Sequence, residues 1–131
     1  MKGYVADIET LTEENRDFRQ VLYTGRHLQL VLMALKPGQS ISVETHATHD
    51  QFFRIETGKG KALIDGVSHK VKDGDCIIVP AGAEHDLTNS GKKVLRLYTL
   101  YAPPEHLDRL VQKTRADANA SDEAFDGATS E

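Results

Sequence analysis

At 131 residues, with 39% hydrophobic and 27% charged side chains, the chain has the size and composition of one soluble globular domain with a single core. No apolar run approaches a membrane-spanning length, and no basic stripe or basic–aromatic interleaving marks a nucleic-acid surface. The formal net charge of −4 is concentrated at the C-terminus, where the last fifteen residues hold five carboxylates and neither Lys nor Arg.

Residues 1–15 are polar and acidic and read as an N-terminal arm. Met1–Asp7 holds no apolar h-region, so no signal peptide is expected. The single cysteine, Cys76, forms no internal disulfide, and a cytoplasmic location is expected. Its neighbours Ile77, Ile78 and Val79 make it a small buried core residue by expectation.

An all-β domain is expected over residues 16–104. Phe18 to Thr24 is rich in aromatic and β-branched residues and stops at Gly25. His27 to Lys36 follows, with Leu28, Leu30, Leu32 and Ala34 on one face and Val31, Met33 and Leu35 on the other. A strand apolar on both faces needs cover on both, commonly from a partner subunit, so a homodimer is expected. Further short strands are Ile41–Glu44, Gln51–Glu56, Lys61–Ile64, Val67–Val71, Asp75–Val79, His85–Asn89 and Val94–Tyr101. Asp65-Gly66, Asp73-Gly74, Pro80-Ala81-Gly82 and Ser90-Gly91 punctuate them. Many short strands at this spacing predict a sandwich or barrel. Beyond Pro104, Glu105–Arg115 carries Leu107, Leu110 and Val111 at helical spacing and predicts a short C-terminal helix. The acidic remainder of residues 105–131 is expected to be a flexible tail.

The chemistry is concentrated in Glu44-Thr45-His46-Ala47-Thr48-His49-Asp50-Gln51. Side chains two apart on a strand share a face, so Glu44 and His46 project together. Gln51, Phe53 and Ile55 share a face of the next strand and can meet them, with Phe53 and Ile55 as a floor. Tyr98 is the third residue expected to line the pocket. Imidazole with carboxylate and amide oxygen suits a divalent first-row metal such as Zn, Mn, Fe, Ni or Co. His49 and Asp50 fall in the turn at the mouth. His27, His69 and His106 read as structural or exposed. A second stretch, Gly74 to Asn89, begins a strand with His85 after the Pro80–Gly82 bend.

Gly74, Pro80, Gly82, His85 and Asn89 fit the second motif of the cupin family, Gly-x5-Pro-x-Gly-x2-His-x3-Asn. Gly38-x5-Glu44-x-His46-x4-Gln51-x6-Gly58 keeps the spacing of the first motif, with Glu44 in place of its first His and Gln51 in place of its Glu. The chain therefore resembles a small single-domain bacterial cupin over Phe18 to Pro104. Its wording is similar to the branch often labelled mannose-6-phosphate isomerase-like. The resemblance implies a double-stranded β-helix (jelly-roll) barrel and a divalent metal held by Glu44, His46, Gln51 and His85. It implies a small-molecule enzyme, either a sugar isomerase with Glu44 or His49 as base or a metal-dependent dioxygenase. The alternative is a non-catalytic small-ligand-binding module. No Lys/Arg cluster for a sugar phosphate is evident; Arg54 is expected outside and only Arg96 within reach of the cavity.

Overall fold

Alternation along the strands becomes alternation of burial, and it is this that aims the candidate ligands. The computed structural model describes all 131 residues. In chain order the elements are α1 (Ile8–Glu14), β1 (Arg19–Thr24), β2 (Gln29–Leu35), β3 (Glu44–Thr45), β4 (Asp50–Thr57) and β5 (Lys59–Ile64). They continue with β6 (Val67–Lys72), β7 (Cys76–Val79), β8 (Glu84–Asn89), β9 (Leu95–Ala102), β10 (Val111–Gln112) and α2 (Arg115–Asn119).

One sheet runs β10-β1-β2-β9-β4-β7 and the other β3-β8-β5-β6, all pairs antiparallel. The two inner faces enclose one core, giving the expected jelly-roll barrel. Val31, Met33, Leu35, Ile55, Leu95 and Leu97 are fully buried there, with Phe53 and Leu87 beside them. Each such side chain contributes about 1.5–3 kcal/mol relative to exposure. Gly58 has a left-handed φ of 101°, and a Cβ on it would lie 3.0 Å from the Val94 carbonyl oxygen. No other residue type fits that strand crossing without displacing backbone.

Expectations change at the C-terminal helix and at Cys76. The C-terminal helix is present but lies at Arg115–Asn119, beyond the stretch that the Leu107–Leu110–Val111 spacing marks. Glu105–Arg115 is irregular and ends in β10, because Arg109 takes a left-handed φ of 61° and Gln29 captures the Glu105 and His106 amides. Cys76 is exposed, since Ile77 and Val79 take the inward positions of edge strand β7.

Leu32 and Ala34, on the outer face of β2, are buried within this one chain. Helix α1 packs against β2, β4 and β9, capped by Asp7, whose Oδ1 accepts the Thr10 amide at 3.2 Å. It lies on the outer side: the outward Arg96 donates from Nε to the Asn15 carbonyl at 3.0 Å. Arg96 therefore faces away from the cavity. Part of the cover expected from a partner is supplied by residues 8–14. No helix is long and apolar enough to cross a membrane.

Candidate metal centre

Four side chains converge at one end of the barrel. Register pairs Glu44 of β3 with His85 of β8, so both stand side by side in the same sheet. Gln51 comes from the facing sheet at the start of β4, 2% exposed, and pairs with Tyr101 and Val79. His46 follows β3. Its carbonyl accepts the Gly82 N–H at 2.9 Å, and Gly82 has a left-handed φ of 90°. Asp50 Oδ1 accepts the Ala81 N–H at 2.8 Å. The Pro80–Gly82 bend is thus tied to both histidine-bearing segments. Asp50, read as a mouth residue, holds this turn.

Glu44, His46 and His85 each offer a ligand atom, all within 4.8 Å of one another. His46 Nε2 lies 3.1 Å from Glu44 Oε2. That hydrogen bond raises His46 above the usual imidazole value; burial opposes it, and the Glu105 and Glu44 charges add to it. Burial pushes the Glu44 carboxyl up, but the His46 hydrogen bond and charge, with Arg19 and His85, hold it below its ordinary value.

The other pair tests whether a cation fits. His85 Nδ1 is 3.2 Å from the Ala83 carbonyl oxygen, and Nε2 is 3.2 Å from Gln51 Oε1. Gln51 Nε2 donates to Thr99 Oγ1 at 3.0 Å, which turns the amide oxygen toward His85. Each ring nitrogen faces a carbonyl-type oxygen at the same distance, so a neutral ring donates to one and sets a lone pair against the other. An Nδ1–H donating to Ala83 leaves the Nε2 lone pair facing the Gln51 oxygen. The opposite tautomer donates Nε2–H to the Gln51 oxygen and sets the Nδ1 lone pair against the Ala83 carbonyl. In the Nδ1–H form His85 Nε2 and Gln51 Oε1 are two acceptor atoms 3.2 Å apart that suit a shared cation, and an imidazole–carboxylate–amide set suits a first-row divalent metal.

His49 is not among the converging atoms. Its Nδ1 contacts Thr48 Oγ1 at 3.0 Å, and its Nε2 lies 3.0 Å from the Pro104 carbonyl and 3.2 Å from Glu105 Oε2. It stands at the rim, with its ring 5.8 Å from that of His46. Phe53 lies under the site, its ring 6.2 Å from that of His85, while Ile55 sits deeper in the core. Tyr98 is a correction. Leu95, Leu97, Thr99 and Tyr101 take the inward positions of β9, and Tyr98 points outward beside Phe52, ring centroids 6.3 Å apart.

Four residues around the site carry no signal in the sequence pattern. Thr99 orients Gln51. Tyr101 is buried, which drives its hydroxyl well above its ordinary value, and it lies 3.2 Å from His106 Nε2. Glu105 approaches His46 Nδ1 at 3.7 Å as well as His49. Arg19 projects inward from β1. Glu105 comes from the loop that the expected helix would have carried away.

A family model described as "Cupin domain" matches residues 31–101. The uncharacterized protein YrkC of Bacillus subtilis is 40% identical over 128 residues, covering 93% of this chain and 69% of that protein. The crystal structure of BH2720 from Bacillus halodurans superposes with a TM-score of 0.90 at 39% identity, covering 92% of this chain and 96% of that one. A mannose-1-phosphate guanylyltransferase of Escherichia coli is 33% identical over 73 residues, 56% of this chain but 15% of that enzyme.

Proposed function

The chain belongs to the cupin family, and from that premise we propose that it is a metal-dependent protein acting on a small molecule at the barrel mouth. The metal would be one divalent transition ion held by Glu44, His46, Gln51 and His85. The observation that carries this reading is the convergence of Glu44, His46 and His85 ligand atoms within 4.8 Å of one another, with Gln51 Oε1 3.2 Å from His85 Nε2. A bound ion would supply Lewis-acid polarisation of a carbonyl or hydroxyl oxygen.

The residues of the chain supply the rest. Thr99 and the Ala83 carbonyl orient two of the donors. Glu105, within 3.7 Å of His46 and 3.2 Å of His49, is a carboxylate at the rim that can take or give a proton beside the site. This arrangement supports isomerase-type proton transfer, with Glu44 and His49 the other candidate bases. The guanylyltransferase named above matches over only 15% of its length. Its name supports nothing finer than an oxygen-rich, sugar-sized substrate. We also propose that two copies pair through the outer face of the larger sheet.

The test is elemental analysis of purified protein beside His46→Ala and His85→Ala. The reading expects about one transition metal per chain, with occupancy lost in both variants while the fold is kept. Absence of stoichiometric metal after loading, or full occupancy in both variants, would overturn it.

A further inference from the structure

Arg19 is 7% exposed and occupies an inward position of β1, opposite the fully buried Met33. Nη1 donates to Gln112 Oε1 at 2.6 Å. Nε is buried and has no hydrogen-bond partner, and no ion pair in the structure includes this guanidinium. A largely buried guanidinium whose one direct polar contact is a neutral amide, with the charges of Glu44 and Glu123 acting on it only through space, keeps donors for an anion. Phe18 partly compensates the burial, with the Arg19 guanidinium carbon 5.3 Å from its ring centroid.

Arg19 lines a pocket of about 250 Å³ together with Glu44, Glu105, His106, Arg115 and Glu123. Glu44 is shared with the candidate metal centre, so the pocket opens beside it. Arg115 donates to the Ile41 carbonyl and Ser42 Oγ and lies over the same Phe18 ring, its guanidinium carbon 5.2 Å from the centroid. Resting on the metal-centre reading, we propose that Arg19 anchors the carboxylate of a small organic acid whose other oxygen atoms reach Glu44, His46, Gln51 and His85. The planar guanidinium fork matches a planar carboxylate. The volume admits a small acid. Three carboxylates, Glu44, Glu105 and Glu123, line the pocket against two guanidinium groups, which makes a monoanion better suited than a phosphate dianion.

The unpartnered Nε–H is its own probe. Metal-stripped protein labelled with nitrogen-15 is titrated with acetate, lactate, gluconate and inorganic phosphate while the Arg19 Nε–H resonance is followed. The proposal expects a saturable shift with at least one of the three carboxylates, stronger than with phosphate. Arg19→Met, checked for fold by circular dichroism, then binds that acid about tenfold more weakly or worse. Any one of three results overturns it: a resonance unmoved by all three acids, tighter binding of phosphate, or a folded Arg19→Met that binds as well as the parent. Repeating the titration after metal loading separates the two readings. Acid binding at Arg19 in a protein that takes up no metal removes the metal centre and keeps the anchor. Metal uptake with no response at Arg19 does the reverse.

Discussion

Thr99 accepts the Gln51 amide N–H at 3.0 Å and so decides which end of that amide faces His85. Thr99→Val keeps the shape and removes the acceptor. The amide is then free to turn its NH2 toward the imidazole. Transition-metal affinity is expected to fall about tenfold to a hundredfold with the far-UV spectrum unchanged. A competition titration against a chromophoric chelator reads this, and unchanged affinity would remove Thr99 from the site. At this scale strand parity pairs Glu44 with His46 and Gln51 with Phe53 and Ile55, because parity is a short-range quantity, while His85 joins them through the resemblance to the second cupin motif. The sequence reading misplaced Tyr98 because β9 is apolar on both alternations, Leu95 and Leu97 against Tyr98 and Leu100, so hydropathy cannot choose a face. Arg19 was invisible for a related reason: nothing in Phe18-Arg19-Gln20-Val21 tells an inward arginine from an outward one. The strand's register with Met33 does.

Between strands, the segment after β9 is the element that pattern reading missed. Gln29, fully buried, accepts the Glu105 and His106 amides on Oε1 at 3.1 and 2.9 Å and donates to the His106 carbonyl at 2.8 Å. Those long-range bonds outweigh the local helical spacing, and they carry Glu105 to the mouth. Glu123 straps the same segment from outside, accepting the Leu107 N–H at 2.8 Å and contacting His106 Nδ1 at 2.5 Å. Burial raises its carboxyl, but the His106 hydrogen bond, the Leu107 amide and the charges of His106 and Arg19 hold it below the ordinary 4.5. A depressed carboxyl contributes fully above its unfolded value and is lost as pH falls through the folded one. The strap is therefore intact above about pH 4.5 and loosens below it. Amide exchange at Leu107 is expected to accelerate on acidification through that window, and Glu123→Gln to flatten the dependence. Equal protection on both sides of the window would rule the strap out.

For the whole molecule, turn signals and alternation suffice for a sandwich or barrel, because that is what closely spaced antiparallel strands can close into, and the jelly-roll topology is what the resemblance adds. They do not say what covers the outside. Helix α1 covers part of the outer face at Leu32 and Ala34. Register leaves the next row of that face in line across four strands: Leu30 with Leu100, Leu100 with Phe52, and Phe52 with Ile78. Ile78 is 64% exposed at the edge and Leu28 is 49% exposed beyond Leu30. A contiguous apolar row of this kind is the residue set a second copy would cover, and a standard interface buries about 1,600 Å² in total. The parent is expected to sediment as a dimer at micromolar concentration. Ile78→Lys places a charge at the edge of the row, on the face of the sheet opposite the ligand cluster. It is expected to give monomers with an unchanged circular dichroism spectrum and the same metal content per chain. Only monomer in the parent would show that this face stands alone, and the apolar row would then need another partner.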